Sequence, residues 1–142
     1  MREAPPTLAQ FTWRTQHDIR FADLDLVGHV NNGAYISLME SNRTRLFAEN
    51  GLVRGPLAQF VLARFEIDFL QELHWPAMVT ATSGLEREGR TSFVMKQGVF
   101  EGETCLAWAR AVVVAIGAES RKPTSVPPEA LAIARRFPLA KI

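Results

Sequence analysis

Only one stretch of this 142-residue chain carries a long helical period, and that limits what the rest can build. Over residues 34–50 the apolar side chains Ala34, Tyr35, Leu38, Met39, Leu46 and Phe47 recur at three- and four-residue spacing, which gathers them on one helix face. Asn31 or Asn32 can cap its start, and Gly51 can supply the left-handed residue that ends it. Everything after it alternates with period two. Phe65, Ile67 and Phe69 face one way and Arg64, Glu66 and Asp68 the other, the pattern of a half-buried strand. His74-Trp-Pro-Ala breaks that strand. Further strands are expected over residues 78–87, 91–100 and 104–116, separated by the turns Glu88-Gly-Arg and Glu101-Gly-Glu. The last is apolar on both faces near its end, as an interior strand is. A first strand is expected over residues 11–20, behind a ragged lead-in of residues 1–10. Pro128-Glu-Ala-Leu can start a short terminal helix over about 127–136. Strand, helix, then four strands predicts one α+β domain, a five-stranded antiparallel sheet around one long helix.

Composition excludes several classes. Sixteen basic and fifteen acidic side chains leave a net charge of +1, and no basic run exceeds two, so no nucleic-acid partner is expected. The N-terminal residues lack an apolar signal core, and the longest apolar run, residues 111–116, is far short of the ~20 that span a bilayer. No membrane partner and a cytoplasmic location are therefore expected. A single Cys105 excludes an intramolecular disulfide framework and a Cys-rich zinc site. Hydrophobic residues reach 47%, enough to leave room for an interface as well as a core.

The densest polar cluster is Asp23, Asp25, His29, Asn31 and Asn32, within ten positions just before the helix. The first N–H groups of a helix lack intrahelical partners, and the helix dipole favours negative charge there. A carboxylate held beside such an N–H, which can polarise a carbonyl oxygen, suits hydrolysis of an activated acyl group. Asp and Asn in that place also serve as ordinary caps and turn formers. Metal binding is a third reading of two aspartates and a histidine, but His17 and His74 sit on separate elements, so no metal site and no cofactor are expected.

Residues 20–35, Arg-Phe-Ala-Asp-Leu-Asp-Leu-Val-Gly-His-Val-Asn-Asn-Gly-Ala-Tyr, closely resemble the D-x-D-x-x-G-H-V-N-N-x-x-Y signature of hot-dog-fold acyl-CoA thioesterases of the 4-hydroxybenzoyl-CoA thioesterase-like family. The resemblance continues through residues 39–45, 64–69, 89–92 and 122–127, and covers roughly residues 15–134. It implies a hot-dog fold and hydrolysis of an acyl-CoA to free acid and CoA. Asp25 matches the family's catalytic carboxylate, which acts as nucleophile or as general base toward water. Asn32 matches the position whose backbone N–H polarises the thioester carbonyl. His29 stands where the related plant acyl-carrier-protein thioesterases have a histidine. Val27 replaces their asparagine, so His29 is left open between a catalytic and a loop-positioning role. Tyr35, Leu38, Met39, Val61 and Phe65 are expected to line the acyl group. Arg90, Thr91 and Ser92 form a turn that in relatives reaches the active site or the CoA phosphates of an adjacent subunit. Asp23 reads as structural within the loop, Glu40, Arg43 and Arg45 as a solvated or interface helix face, and Cys105 as a small core residue. The resemblance also implies a homodimer that encloses the acyl tunnel, with pairs often forming a homotetramer. Two alternatives stay open at this level: a hydratase or dehydratase of enoyl thioesters on the same fold, and a module that binds acyl-CoA without turnover.

Overall fold

The computed structural model of the chain describes residues 3–52 and 59–141. Strand β1 (Trp13–Asp18) precedes helix α1 (Asn32–Ala48), and β2 (Phe60–Phe69), β3 (Met78–Glu88), β4 (Ser92–Glu101), β5 (Thr104–Ala115) and helix α2 (Pro128–Ala134) follow. All five strands pair antiparallel in the order β1-β3-β4-β5-β2. The middle of the sheet is the expected meander of β3, β4 and β5. The strands flanking α1 in sequence go to the two edges.

α1 starts two residues earlier than its apolar period suggested, because Asn31 is the cap: its Oδ1 accepts the Ala34 N–H at 2.9 Å. At the other end the Leu52 N–H donates to the Phe47 carbonyl at 3.1 Å across Gly51, whose φ of 104° only glycine adopts freely. The helix packs on β3 and β4 over two apolar clusters. Near its start, Tyr35 and Met39 meet Val79, Val99 and Ala107; near its end, Leu46 and Phe47 meet Phe93, Met95 and α2.

Between helix and sheet runs a buried polar chain. Asn42 donates to the Thr15 hydroxyl (2.9 Å) and the Ala81 carbonyl (3.0 Å), and accepts from Ser83; Gln97 donates to Ser83 (2.7 Å) and to the Met39 carbonyl (2.8 Å). Arg43 corrects the sequence reading of a solvated or interface residue. It is only 7% exposed and donates to Gln97 Oε1 at 2.8 Å, because its place in the helical period, four after Met39 and three before Leu46, turns it inward.

The lead-in is also better built than expected. From residue 3 onward it crosses the sheet's other face, where Phe11 meets Phe100 edge-on at 6.0 Å. Glu3 pairs with Lys96 (3.1 Å) and Arg110 (2.6 Å), and both cations lie over the Trp108 ring. Hydrogen bonds from Arg110 and Lys96 hold the Glu3 carboxyl down at about 2. Residues 1 and 2 lie outside the described residues.

Among the described residues, no helix is long and apolar enough to cross a membrane.

Candidate active site

The segment before α1 folds back on itself. Leu24 and Val30 form a short antiparallel bridge, the Asp25 N–H donates to the His29 carbonyl at 2.8 Å, and the Gly28 N–H returns to the Asp25 carbonyl at 3.1 Å. Gly28 makes this turn with φ at 89°. The Asp25 side chain sits at the tip, its Oδ1 accepting the Val27 N–H (2.9 Å) and the His29 N–H (3.1 Å). Two backbone donors fix the carboxylate's direction while both recorded bonds fall on one oxygen.

Asp23 secures the loop from below. Its carboxylate accepts the Arg20 N–H (2.9 Å) and pairs with the Arg20 guanidinium (3.0 Å), which lowers its pKa, and its carbonyl accepts both the Asn31 N–H and Nδ2 at 2.8 Å. Asn31 thus joins the loop to the helix. Beyond it, the Asn32 and Gly33 N–H groups have no acceptor among the described residues, the ordinary state of donors in a first helical turn.

These parts share one cavity of about 240 Å³, lined by Asp25, His29, Val30, Asn32, Tyr35 and residues 69–72. A carboxylate and the positive end of a helix therefore face the same space. Tyr35 is buried in its wall against Phe69, with ring centroids 5.7 Å apart, and burial raises its hydroxyl's pKa. Cys105 is not among the lining residues and donates to the Ala107 carbonyl at 3.4 Å. Burial pushes its thiol up to about 11, so it supplies no thiolate at neutral pH.

The remaining residues named from sequence are dispersed within one chain. Leu38 lines a separate surface hollow beside His17 and Ser41. Met39 is fully buried under the helix. Val61 borders a mixed groove between α1 and β2 with Glu40, Arg43, Phe47 and Phe93, and Phe65 lies half-buried between the two core clusters. Arg90 and Thr91 lie in the β3–β4 turn and Ser92 opens β4, at the far end of the sheet, the length of the ten-residue β4 (about 30 Å) from the cavity end.

Sequence reasoning missed Glu72 and His74. The Val30 N–H donates to the Leu73 carbonyl at 3.0 Å, and His29 pairs with His74 across an isolated bridge. The histidine assigned to a separate element is thus brought beside His29 after a gap of 45 residues, with no local motif to announce it.

The family model of the thioesterase-like superfamily matches residues 19–134. The chain belongs to that superfamily. No curated protein sequence matches it. A thioesterase of Thermus thermophilus, solved with coenzyme A and Zn, is 29% identical, covers 91% of this chain and 96% of its own, and superposes with a TM-score of 0.82. A probable thioesterase of Bartonella henselae is 25% identical over 82% of this chain and 99% of its own, at 0.74. A protein of Pseudomonas aeruginosa, 19% identical, gives 0.88 over 96% of this chain and 99% of its own, a likeness of fold. The architecture is accordingly the hot-dog fold, and this superfamily member is a thioester hydrolase.

Proposed function

We propose that this superfamily member hydrolyses an acyl-CoA to the free acid and CoA, with Asp25 as the reacting carboxylate and the Asn32 N–H as the oxyanion donor. The observation that carries this is the shared cavity: Asp25 and the start of α1 face one space, with no cysteine or serine nucleophile among its lining residues. The thioester oxygen sits at the Asn32 N–H, where the helix dipole stabilises the negative charge that develops on it. Asp25 then acts in one of two ways. It attacks the acyl carbon to give a mixed anhydride, expelling CoA thiolate, and water opens the anhydride; or it takes a proton from the water that attacks directly. Either route consumes one water and yields acid and thiol. The coenzyme A in the Thermus structure supports CoA as the carrier. His29 stays between catalysis and loop positioning, since its N–H already braces Asp25. Cytoplasmic acyl-CoA is the natural substrate pool for such an enzyme.

The functional unit we infer is at least a homodimer, with a homotetramer built from such pairs. β2 is a ten-residue edge strand with Val61, Leu62 and Phe69 exposed by 38%, 44% and 41%. A long open edge with exposed apolar side chains invites pairing. Two-fold antiparallel pairing of β2 brings the partner's Val61 end beside the Phe69 end, next to the cavity, and the far turn at Arg90–Ser92 with it.

Asp25→Asn is expected to keep the wild-type melting temperature and lower thiol release by at least ~100-fold. Release is followed with a thiol reagent over aryl and aliphatic acyl-CoAs of rising chain length, and enoyl absorbance is followed in parallel. A mutant as active as wild type removes Asp25 from the mechanism; enoyl loss without thiol release makes the enzyme a hydratase.

A further inference from the structure

Glu72, Leu73 and His74 run extended, so Leu73 turns inward and is buried at 2% exposure while its two neighbours point out on the same side. The Leu73 carbonyl accepts the Val30 N–H, and His29 stands opposite His74 across the bridge. Two backbone segments are thereby locked with three ligand-type side chains on one face. His29 Nε2 is 3.3 Å from Glu72 Oε2, His74 Nε2 is 3.7 Å from the same oxygen, and the three donor atoms all lie within 4.8 Å of one another. The imidazole rings meet edge to face with centroids 5.1 Å apart.

Metal geometry gives these distances a meaning. Zinc bonds of about 2.0–2.2 Å at tetrahedral angles separate neighbouring donor atoms by about 3.3–3.5 Å. The separations from Glu72 to the two histidines are already close to that, and the third closes by rotation of the exposed His74 ring. Two imidazoles and one carboxylate suit zinc and its neighbours, whereas magnesium and calcium demand oxygen ligands.

We propose that His29, Glu72 and His74 form a divalent transition-metal site of the zinc class at the rim of the active-site cavity. Three protein ligands leave a fourth position for water. His29 and Glu72 also line the cavity that holds Asp25 and Asn32, so the ion adds positive charge to the wall where the thioester carbonyl lies. Sequence spacing conceals the site, because its ligands come from two loops that the fold brings together across the bridge.

The test uses chelator-treated, full-length protein without substrate, so it stands apart from thiol release and each can fail alone. Zinc is titrated in competition with a chromophoric indicator of micromolar affinity. One zinc per chain is expected, undisplaced by excess magnesium or calcium. Glu72→Gln and His74→Gln change exposed side chains and leave the Leu73 anchor in place, and each is expected to weaken binding by at least ~10-fold, since even losing an outer-shell partner costs that much. His17→Gln, on another element, is expected to bind as wild type. Absence of stoichiometric binding overturns the site, as does binding that survives both ligand substitutions or falls equally with His17→Gln.

Discussion

Asn42 and His17 show what single side chains do for this fold. Asn42 is fully buried on α1 and joins three groups of the sheet, Thr15, Ala81 and Ser83. Asn42→Ala removes the amide from all three and leaves the Thr15 and Ser83 hydroxyls with His17 and Gln97 alone, so a loss of about 1–3 kcal/mol in denaturant unfolding is expected. A variant within experimental error of wild type would mean that water replaces the amide. His17 extends the same chain. The Thr15 hydroxyl accepts from Asn42 and lies 2.7 Å from His17 Nε2, so the ring joins the buried polar chain at its edge. Burial first, and the Arg45 charge second, lower the His17 pKa below 6.5 in the folded protein. The unfolded chain then binds more protons than the folded one as pH falls past 6.5, and folding stability drops until the lowered pKa is passed. Melting temperatures measured from about pH 7.5 to about pH 5.5 should fall more for wild type than for His17→Gln; parallel curves would show that His17 does not titrate differently on folding. At this scale the sequence was legible where chemistry is local. Asp25 and Asn32, the pair proposed for the chemistry, lie seven residues apart within one signature, and both line the same cavity. Glu72, His74 and the inward Arg43 were hidden, since only the bridge between loops and the phase of α1 against the sheet reveal their neighbours.

The elements themselves were legible because each carries its own period and its own stop. α1 was bounded by Asn31 and Gly51, and β3, β4 and β5 by glycine turns, so their observed ends lie within two residues of expectation. Strand order was less legible. β1 and β2 flank the helix in sequence yet take opposite edges, and that choice belongs to packing of α1 across β3 and β4. The start of α1 is where element and site are the same object. Asn31 accepts the Ala34 N–H and ties both its own donors to the Asp23 carbonyl, which fixes the first turn holding Asn32 beside the cavity. Asn31→Ala should therefore cost about 1–2 kcal/mol of stability, as other lost caps do. It should also lower kcat more than it raises KM, because oxyanion stabilisation acts in the transition state. Lost stability with unchanged kcat would separate the cap from the chemistry.

At the scale of the molecule, the two faces of the sheet are treated differently. One is covered by α1; the other is crossed by the lead-in, whose Glu3 neutralises Lys96 and Arg110 over Trp108. The β2 edge is left open, with Val61, Leu62 and Phe69 exposed beside the charged Arg64 and Glu66. Single chains also keep the residues named for one site at opposite ends: Asp25 and Asn32 beside Phe69, Val61 and the Arg90 turn at the other. The two-fold axis proposed across the middle of β2 would account for both facts, closing the edge and bringing one chain's far end to the other's cavity. Leu62→Lys places a charge on that edge at a side chain 44% exposed in the single chain, where it can reach solvent without disturbing the core. The variant is expected to run as a monomer in size-exclusion chromatography with light scattering, to keep its far-UV circular dichroism, and to lose most thiol release although Asp25 is untouched. A folded monomer with wild-type turnover would put the whole site in one chain; a dimer that persists would move the interface away from β2.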